Sequence, residues 1–202
     1  MATYFITGIG TGIGKTLISA ILTEKLKADY WKPIQSGDLE TSDSLTIKSL
    51  ISNTKTVIHP ENYRLTQPLS PHLSAKLDGI AIDLHQINTP KTDNNLIIEG
   101  AGGLMVPLNE NELIVDLIKK LDAEVILVSQ NYLGSINHTL LSVSLLKQYE
   151  IPIKGIIFNG EENLETERYI LQYTQIKKLG DVPSLKNIDK ENVITAGQNL
   201  FI

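Results

Sequence analysis

The sequence predicts an α/β fold, a mainly parallel sheet with helices on both faces, in a single domain spanning residues 1–202. Strand-like and helix-like patterns alternate through the whole length, as they do where helical crossovers join parallel strands. Short apolar runs such as Leu96-Ile97-Ile98 and Val125-Ile126-Leu127-Val128 read as buried strands. The polar and glycine-rich motifs fall at strand ends, where open sheets of this kind bind ligands.

Taken in order, the β-branched and aromatic run Thr3 to Thr7 is the first strand. It feeds a loop with glycines at Gly8, Gly10, Gly12 and Gly14, closed by Lys15-Thr16, and helical spacing follows at Leu17, Ile18, Ile21, Leu22 and Leu26. Asp29 to Ile34 is a short strand stopped by Pro33, and a helix runs from about Asp43 to Ser52. Residues 59–95 are polar and contain proline, with short helices near 72–78 and 83–87. The strand Leu96-Ile97-Ile98 ends at Glu99-Gly100-Ala101-Gly102-Gly103, and Leu113 to Leu121 has helical spacing. The strand Val125 to Val128 leads through Leu133-Gly134-Ser135-Ile136-Asn137-His138 into a long helix ending near Tyr149. Ile153 to Phe158 is a strand, Leu164 to Tyr173 a helix, and Leu179 to Pro183 a last short strand.

The loop Gly8 to Thr16 is the strongest functional signal. Strand, glycine loop, Lys-Thr and helix in that order form a phosphate-cradling P-loop, and the fold expected is P-loop NTPase-like. Glycines let backbone N–H groups crowd an anion without Cβ clashes, and the helix N-terminus adds partial positive charge. Lys15 can reach the β- and γ-phosphates, and the Thr16 hydroxyl can ligate Mg²⁺. The loop is one residue longer than the strict spacing, because the position five before Gly14 is Ile9 and the first glycine is Gly8.

The bulk properties narrow the field. The chain has 202 residues, no cysteine and a net charge of −5. Disulfides, thiolate catalysis and cysteine-based zinc sites are excluded. The acidic balance argues against nucleic acid or an anionic membrane as partner, and no apolar run approaches the roughly 18 residues that span a bilayer. The first strand starts at Thr3, leaving no room for a leader, so a cytoplasmic address is expected.

Other residues leave alternatives open. Lys32, at the end of the second strand, is either a solvated lysine or a group that neutralises a phosphoryl or substrate anion. Asp43, at a helix start, reads first as an N-cap or first-turn acid. Glu99 stands directly after a buried strand with small residues behind it, where P-loop proteins hold a second Mg²⁺ acid. Asn159-Gly160 is either a turn or an amide that meets an adenine edge. The four histidines have no metal-type spacing.

The ordered set Gly8 to Thr16, Lys32-Pro33-Ile34-Gln35-Ser36-Gly37, Ser42-Asp43, Ser70-Pro71-His72, Glu99 to Gly103, Leu133 to His138 and Leu179-Gly180-Asp181-Val182-Pro183 resembles the dethiobiotin synthetase family over nearly the full length. That resemblance implies an ATP-dependent ligase of biotin biosynthesis. It would close a cyclic urea on 7,8-diaminononanoate with CO₂ and ATP, with Mg²⁺ as cofactor, in a homodimer whose active site lies at the subunit interface. Thr16, Asp43 and Glu99 would then hold Mg²⁺, while Lys15 and Lys32 would be catalytic. Gly12, Ile13, Gly14, Lys15, Thr16, Asn159 and the segment Gly180, Asp181, Val182, Pro183 would bind the nucleotide. Thr11, Lys32, Ser36, Gly102, Ile136, Asn137 and Tyr169 would meet the diamine, with the helix start at Ile136-Asn137 serving the neighbouring subunit. Gly10 and Gly12 stand where some members carry acids. Two other classes share parts of the pattern. Septum-positioning and partition ATPases carry an extra loop lysine where this chain has Gly10, and cobyrinate-type amidases carry a cysteine-dependent glutaminase domain.

Overall fold

The computed structural model describes residues 1–202. Its elements in chain order are β1 (Thr3–Gly8), α1 (Lys15–Leu26), β2 (Asp29–Trp31), β3 (Ile34–Ser36), α2 (Asp43–Leu50), β4 (Ile58–His59), β5 (Tyr63–Leu65) and α3 (Pro71–Leu77). They continue with β6 (Leu96–Gly103), α4 (Ile114–Leu121), β7 (Glu124–Gln130), α5 (Ser135–Gln148), β8 (Ile153–Asn159), α6 (Leu164–Thr174), β9 (Lys178–Val182) and α7 (Lys190–Gly197). Seven strands form one sheet in the order β4-β2-β6-β1-β7-β8-β9, and every pairing is parallel.

A parallel sheet joined by helical crossovers is covered on both faces. On one face Ile18, Ile21 and Leu22 of α1, Ile47 of α2 and Val193 of α7 pack with Ile6, Ile97, Ile126 and Ile157 of the strands. On the other, Leu117 of α4, Leu146 of α5 and Ile170 of α6 pack with Phe5, Ile98, Val125 and Phe158. Alternate residues of each strand therefore enter different cores, as the period of two requires. β1 is flanked by β6 and β7, so the chain runs outward in both directions from β1. Such a reversal opens a crevice at the carboxyl ends of the strands.

Parts of the structure differ from the sequence-based expectation. The run Asp29 to Ile34 is two strands, because Pro33 lacks the N–H needed to continue a ladder. β3 leaves the main sheet there and pairs with β5. The polar stretch 59–95 contains β5 besides α3, and the short helix expected near 83–87 is a 3₁₀ turn at Leu84–Gln86. A final helix, α7, follows the last strand; its core contribution is confined to Val193, Ala196 and Gly197, too sparse to read as periodicity.

Candidate active site

The site is assembled at the carboxyl ends of β1, β2 and β6. Gly14 caps α1 in a left-handed conformation (φ 91°), and a Cβ there would strike the Asn159 carboxamide, so this position demands glycine. Lys15 and Thr16 then begin α1 with their side chains at the mouth of the sheet. Lys15 Nζ donates to Gly10 O at 3.0 Å, and its burial pulls its pKa down to about 8.

Thr16, Asp43, Glu99 and Lys32, from four separate segments, meet at one point. Thr16 Oγ1 lies 3.0 Å from Asp43 Oδ1 and 2.8 Å from Glu99 Oε1. Lys32 Nζ is ion-paired with Asp43 and lies 3.3 Å from Glu99 Oε1. Lys32 is 5% exposed, so the solvated reading of this lysine is wrong. Burial alone would lower its pKa, but the charges of Glu99 and Asp43 more than offset that and raise it. For Asp43 burial works upward and is outweighed by the Lys32 charge, leaving its pKa lowered. Asp43 is the first-turn acid of α2 and not its N-cap. Ser42 is the cap, with its hydroxyl accepting from Leu45 N, and the Asp43 carboxylate is left for the cleft.

A cleft of about 740 Å³ opens on this cluster, lined among others by Thr11, Gly12, Gly14, Ser36 and Gly102. Ser36 Oγ is buried in its wall without a hydrogen-bond partner. A buried orphan of this kind needs a partner from elsewhere, and a ligand in the cleft would supply one. The donors fit a hard cation: one hydroxyl and two carboxylates, all oxygen. No three acidic, histidine or cysteine side chains cluster as a metal site, so phosphate oxygens would have to complete the shell. Two of the four histidines are used elsewhere, His59 on Asp29 and His138 on Tyr132.

A second cavity of about 820 Å³ is lined by Gly160, Gly180, Asp181 and Pro183, with Phe158 and Lys178. Two residues expected at the nucleotide turn inward instead. Val182 is fully buried in the core and its carbonyl accepts from Gly160 N, and the Ile13 side chain is buried in the same core. Asn159 is more than a turn residue: its Nδ2 donates to Ile13 O at 2.9 Å, tying β8 to the P-loop. Ile136, Asn137 and Tyr169 do not line the cleft. The first two lie in the opening turn of α5, and Tyr169 is exposed on α6, stacked against Tyr173.

A family model described as an AAA domain matches residues 2–192. The ATP-dependent dethiobiotin synthetase BioD of Cytophaga hutchinsonii is 54% identical over 202 residues, covering 100% of this chain and 98% of that protein. Its namesake from Christiangramia forsetii is 55% identical over 188 residues, 93% of this chain and 87% of that one. The chain belongs to the dethiobiotin synthetase family. Among solved structures, the cell division ATPase MinD of Pyrococcus furiosus superposes with a TM-score of 0.61 over 98% of both chains at 13% identity, a likeness of fold alone.

Relative to the residues expected of a dethiobiotin synthetase, two members of the cluster were missed. Gln35 Oε1 accepts from Asp43 N at 3.2 Å and Gln35 Nε2 donates to Gly37 O at 3.0 Å, so its buried amide fixes the start of α2. Tyr30 OH donates to Glu99 Oε2 at 2.9 Å. Burial first, and the Glu99 charge second, raise the Tyr30 pKa well above 10, so the phenol stays protonated. The available signal was the strand period: Tyr30 lies two residues before Lys32 and therefore shares its face.

Proposed function

We propose that the 740 Å³ cleft is the active site of an ATP-dependent dethiobiotin synthetase. The enzyme is a ligase of biotin biosynthesis that closes a cyclic urea on 7,8-diaminononanoate with CO₂, releasing ADP and phosphate. One observation carries this reading: in a chain of this family, Lys15 and the group Thr16, Lys32, Asp43 and Glu99 face a common cleft at the strand ends. The P-loop residues Gly12, Ile13, Gly14, Lys15 and Thr16 hold the triphosphate through backbone N–H groups and the lysine. Asn159 and Gly180 to Pro183 border the nucleobase, those that turn inward through the backbone. Thr16, Asp43 and Glu99 hold Mg²⁺, which supplies charge neutralisation on the phosphates.

The chemistry needs no enzyme nucleophile. One substrate amine adds to CO₂, giving a carbamate and a proton. The carbamate oxygen takes the terminal phosphoryl group of ATP, and the neutral second amine attacks the carbonyl carbon of that mixed anhydride and expels phosphate. Lys32, charged over the working pH range, offsets negative charge on carbamate and phosphoryl oxygens, and Lys15 does so along the triphosphate. Thr11, Ser36 and Gly102 line the diamine's path. Ile136, Asn137 and Tyr169, which lie away from the cleft of their own chain, reach the substrate of a neighbouring subunit in a cytoplasmic homodimer of single P-loop domains over residues 1–202.

The test is ATP hydrolysis measured with and without the diamine and bicarbonate. Hydrolysis is expected only when both are present, together with a new cyclic urea product. Hydrolysis indifferent to both would replace this reading with that of an ATPase switch.

A further inference from the structure

One buried polar group at the site has no part in the reaction just described, the phenol of Tyr30. Parallel pairing sets Tyr30 beside Ile97 and Trp31 beside Ile98, so Lys32 and Glu99 emerge side by side at the ends of β2 and β6. Tyr30 sits one step below them on the same face and is fully buried. Its hydroxyl donates to Glu99 Oε2 at 2.9 Å. The other oxygen of that carboxylate, Oε1, takes Thr16 Oγ1 at 2.8 Å and Lys32 Nζ at 3.3 Å. The two oxygens thus have separate duties, one anchored from the core and one turned to the cleft. A carboxylate's terminal torsion is broad and roughly two-fold, and among the contacts of Oε2 the phenol is the one side-chain donor. Without it nothing on the core side would fix the plane of the carboxylate and so keep an oxygen aimed at Thr16.

We infer that Tyr30 is a positioning residue that locks the Glu99 carboxylate with one oxygen toward the cleft, and so sets the affinity of the nucleotide complex for its divalent cation. This rests on the proposed role of Glu99 at that cation. Outer partners of metal-binding side chains act in this manner, orienting the ligand without touching the ion.

Tyr30→Phe removes the hydroxyl and keeps the ring. The measurement is Mn²⁺ affinity of the full chain bound to a non-hydrolysable ATP analogue, read from the paramagnetic resonance of free Mn²⁺. Tyr30→Phe is expected to weaken Mn²⁺ by about tenfold, the lower end for loss of an outer partner, while the analogue binds as before in the absence of metal. Glu99→Gln is expected to weaken Mn²⁺ at least as much, and adding Tyr30→Phe to it should bring no further loss. Parent-like Mn²⁺ affinity in Tyr30→Phe overturns the positioning role. So does a further loss in the double variant, or a Tyr30→Phe chain that fails to fold, since the phenol would then serve the core alone. Parent-like affinity in Glu99→Gln instead overturns the reading of Glu99 on which the inference stands.

Discussion

At its amino end β2 opens on Asp29, and just past its carboxyl end stands Lys32, so two of the buried charge networks of the molecule lie at opposite ends of one short strand. Around Asp29 every acceptor is taken. Oδ1 accepts from Val57 N at 3.0 Å and Asn94 Nδ2 at 3.2 Å, and Oδ2 accepts from Thr92 Oγ1 at 2.6 Å and meets His59 Nε2 at 3.2 Å. Asp29 lines none of the three principal cavities. These bonds join β2, β4 and the turn before β6, and their work is to hold an edge of the sheet together. Around Lys32 two carboxylates share one ammonium and one hydroxyl, Glu99 alone takes a phenol, and the cleft beside them has the unpartnered Ser36 Oγ in its wall. Saturation marks a carboxylate that builds structure. A carboxylate pair held by one lysine and one hydroxyl in the wall of a cleft is one that can exchange those partners for a ligand.

Breaking the open network should act on turnover and breaking the closed one on stability. The largest effect is expected for Lys32→Ala, which should slow dethiobiotin formation by roughly 10²–10³, the scale for losing one preorganised charge at a reacting group. Near-normal turnover would remove Lys32 from the mechanism. Asp29→Asn should lower the unfolding free energy by about 2–3 kcal/mol in a urea titration, because buried donors lose an anionic acceptor, with turnover of the folded enzyme retained. An equal fall in turnover would erase the contrast between the two ends of β2.

The same comparison has a pH form. Burial opposes ionisation of Asp29, but its hydrogen bonds, Thr92 foremost, win and hold its pKa below the ordinary 3.8. A carboxylate with a lowered folded-state pKa contributes stability that is fully present above the unfolded value and lost as pH falls through the folded one. The stability deficit of Asp29→Asn should therefore shrink below pH 3.8, and a deficit that stays constant there would contradict the assignment. At the open end the sensitive group is Lys15, with a pKa of about 8. It is charged below that value and neutral above it, so kcat/KM for ATP should fall as pH rises through about 8, by at most about tenfold per unit. Lys15→Arg should remove that fall if it binds nucleotide at all, because guanidinium stays charged. A parent profile that is flat across this range would place the Lys15 titration elsewhere.

Much of the site was legible from the residues because its parts are local. The P-loop is contiguous, and a glycine-lined acid after a buried strand marks Glu99 without knowledge of the fold. Lys32 and Asp43 were visible as positions only. Whether a lysine at a strand end is solvated, or an acid at a helix start is a cap, depends on what the neighbouring segments bring. Ser42 capping α2 and Glu99 lying beside Lys32 decided both. Tyr30 read only as part of a short strand because its partner is 69 residues away. The departures in the fold have similar causes. β4 is two residues long and β5 three, too short to show a period, and both exist through pairing with distant strands. The glycine tail of β6 is extended because Gly103 pairs with Gly8, against the weak strand preference of glycine.

From the chain alone came the alternating architecture, the phosphate loop and the candidate acids, since periodicity, glycine placement and strand-end position are properties of neighbours in sequence. Which charges pair, how the Glu99 carboxylate is oriented and which expected contacts turn into the core were settled only by folding. Burial and hydrogen-bond partnership depend on residues brought together from far apart, and in a parallel sheet each strand receives its neighbours from across a crossover.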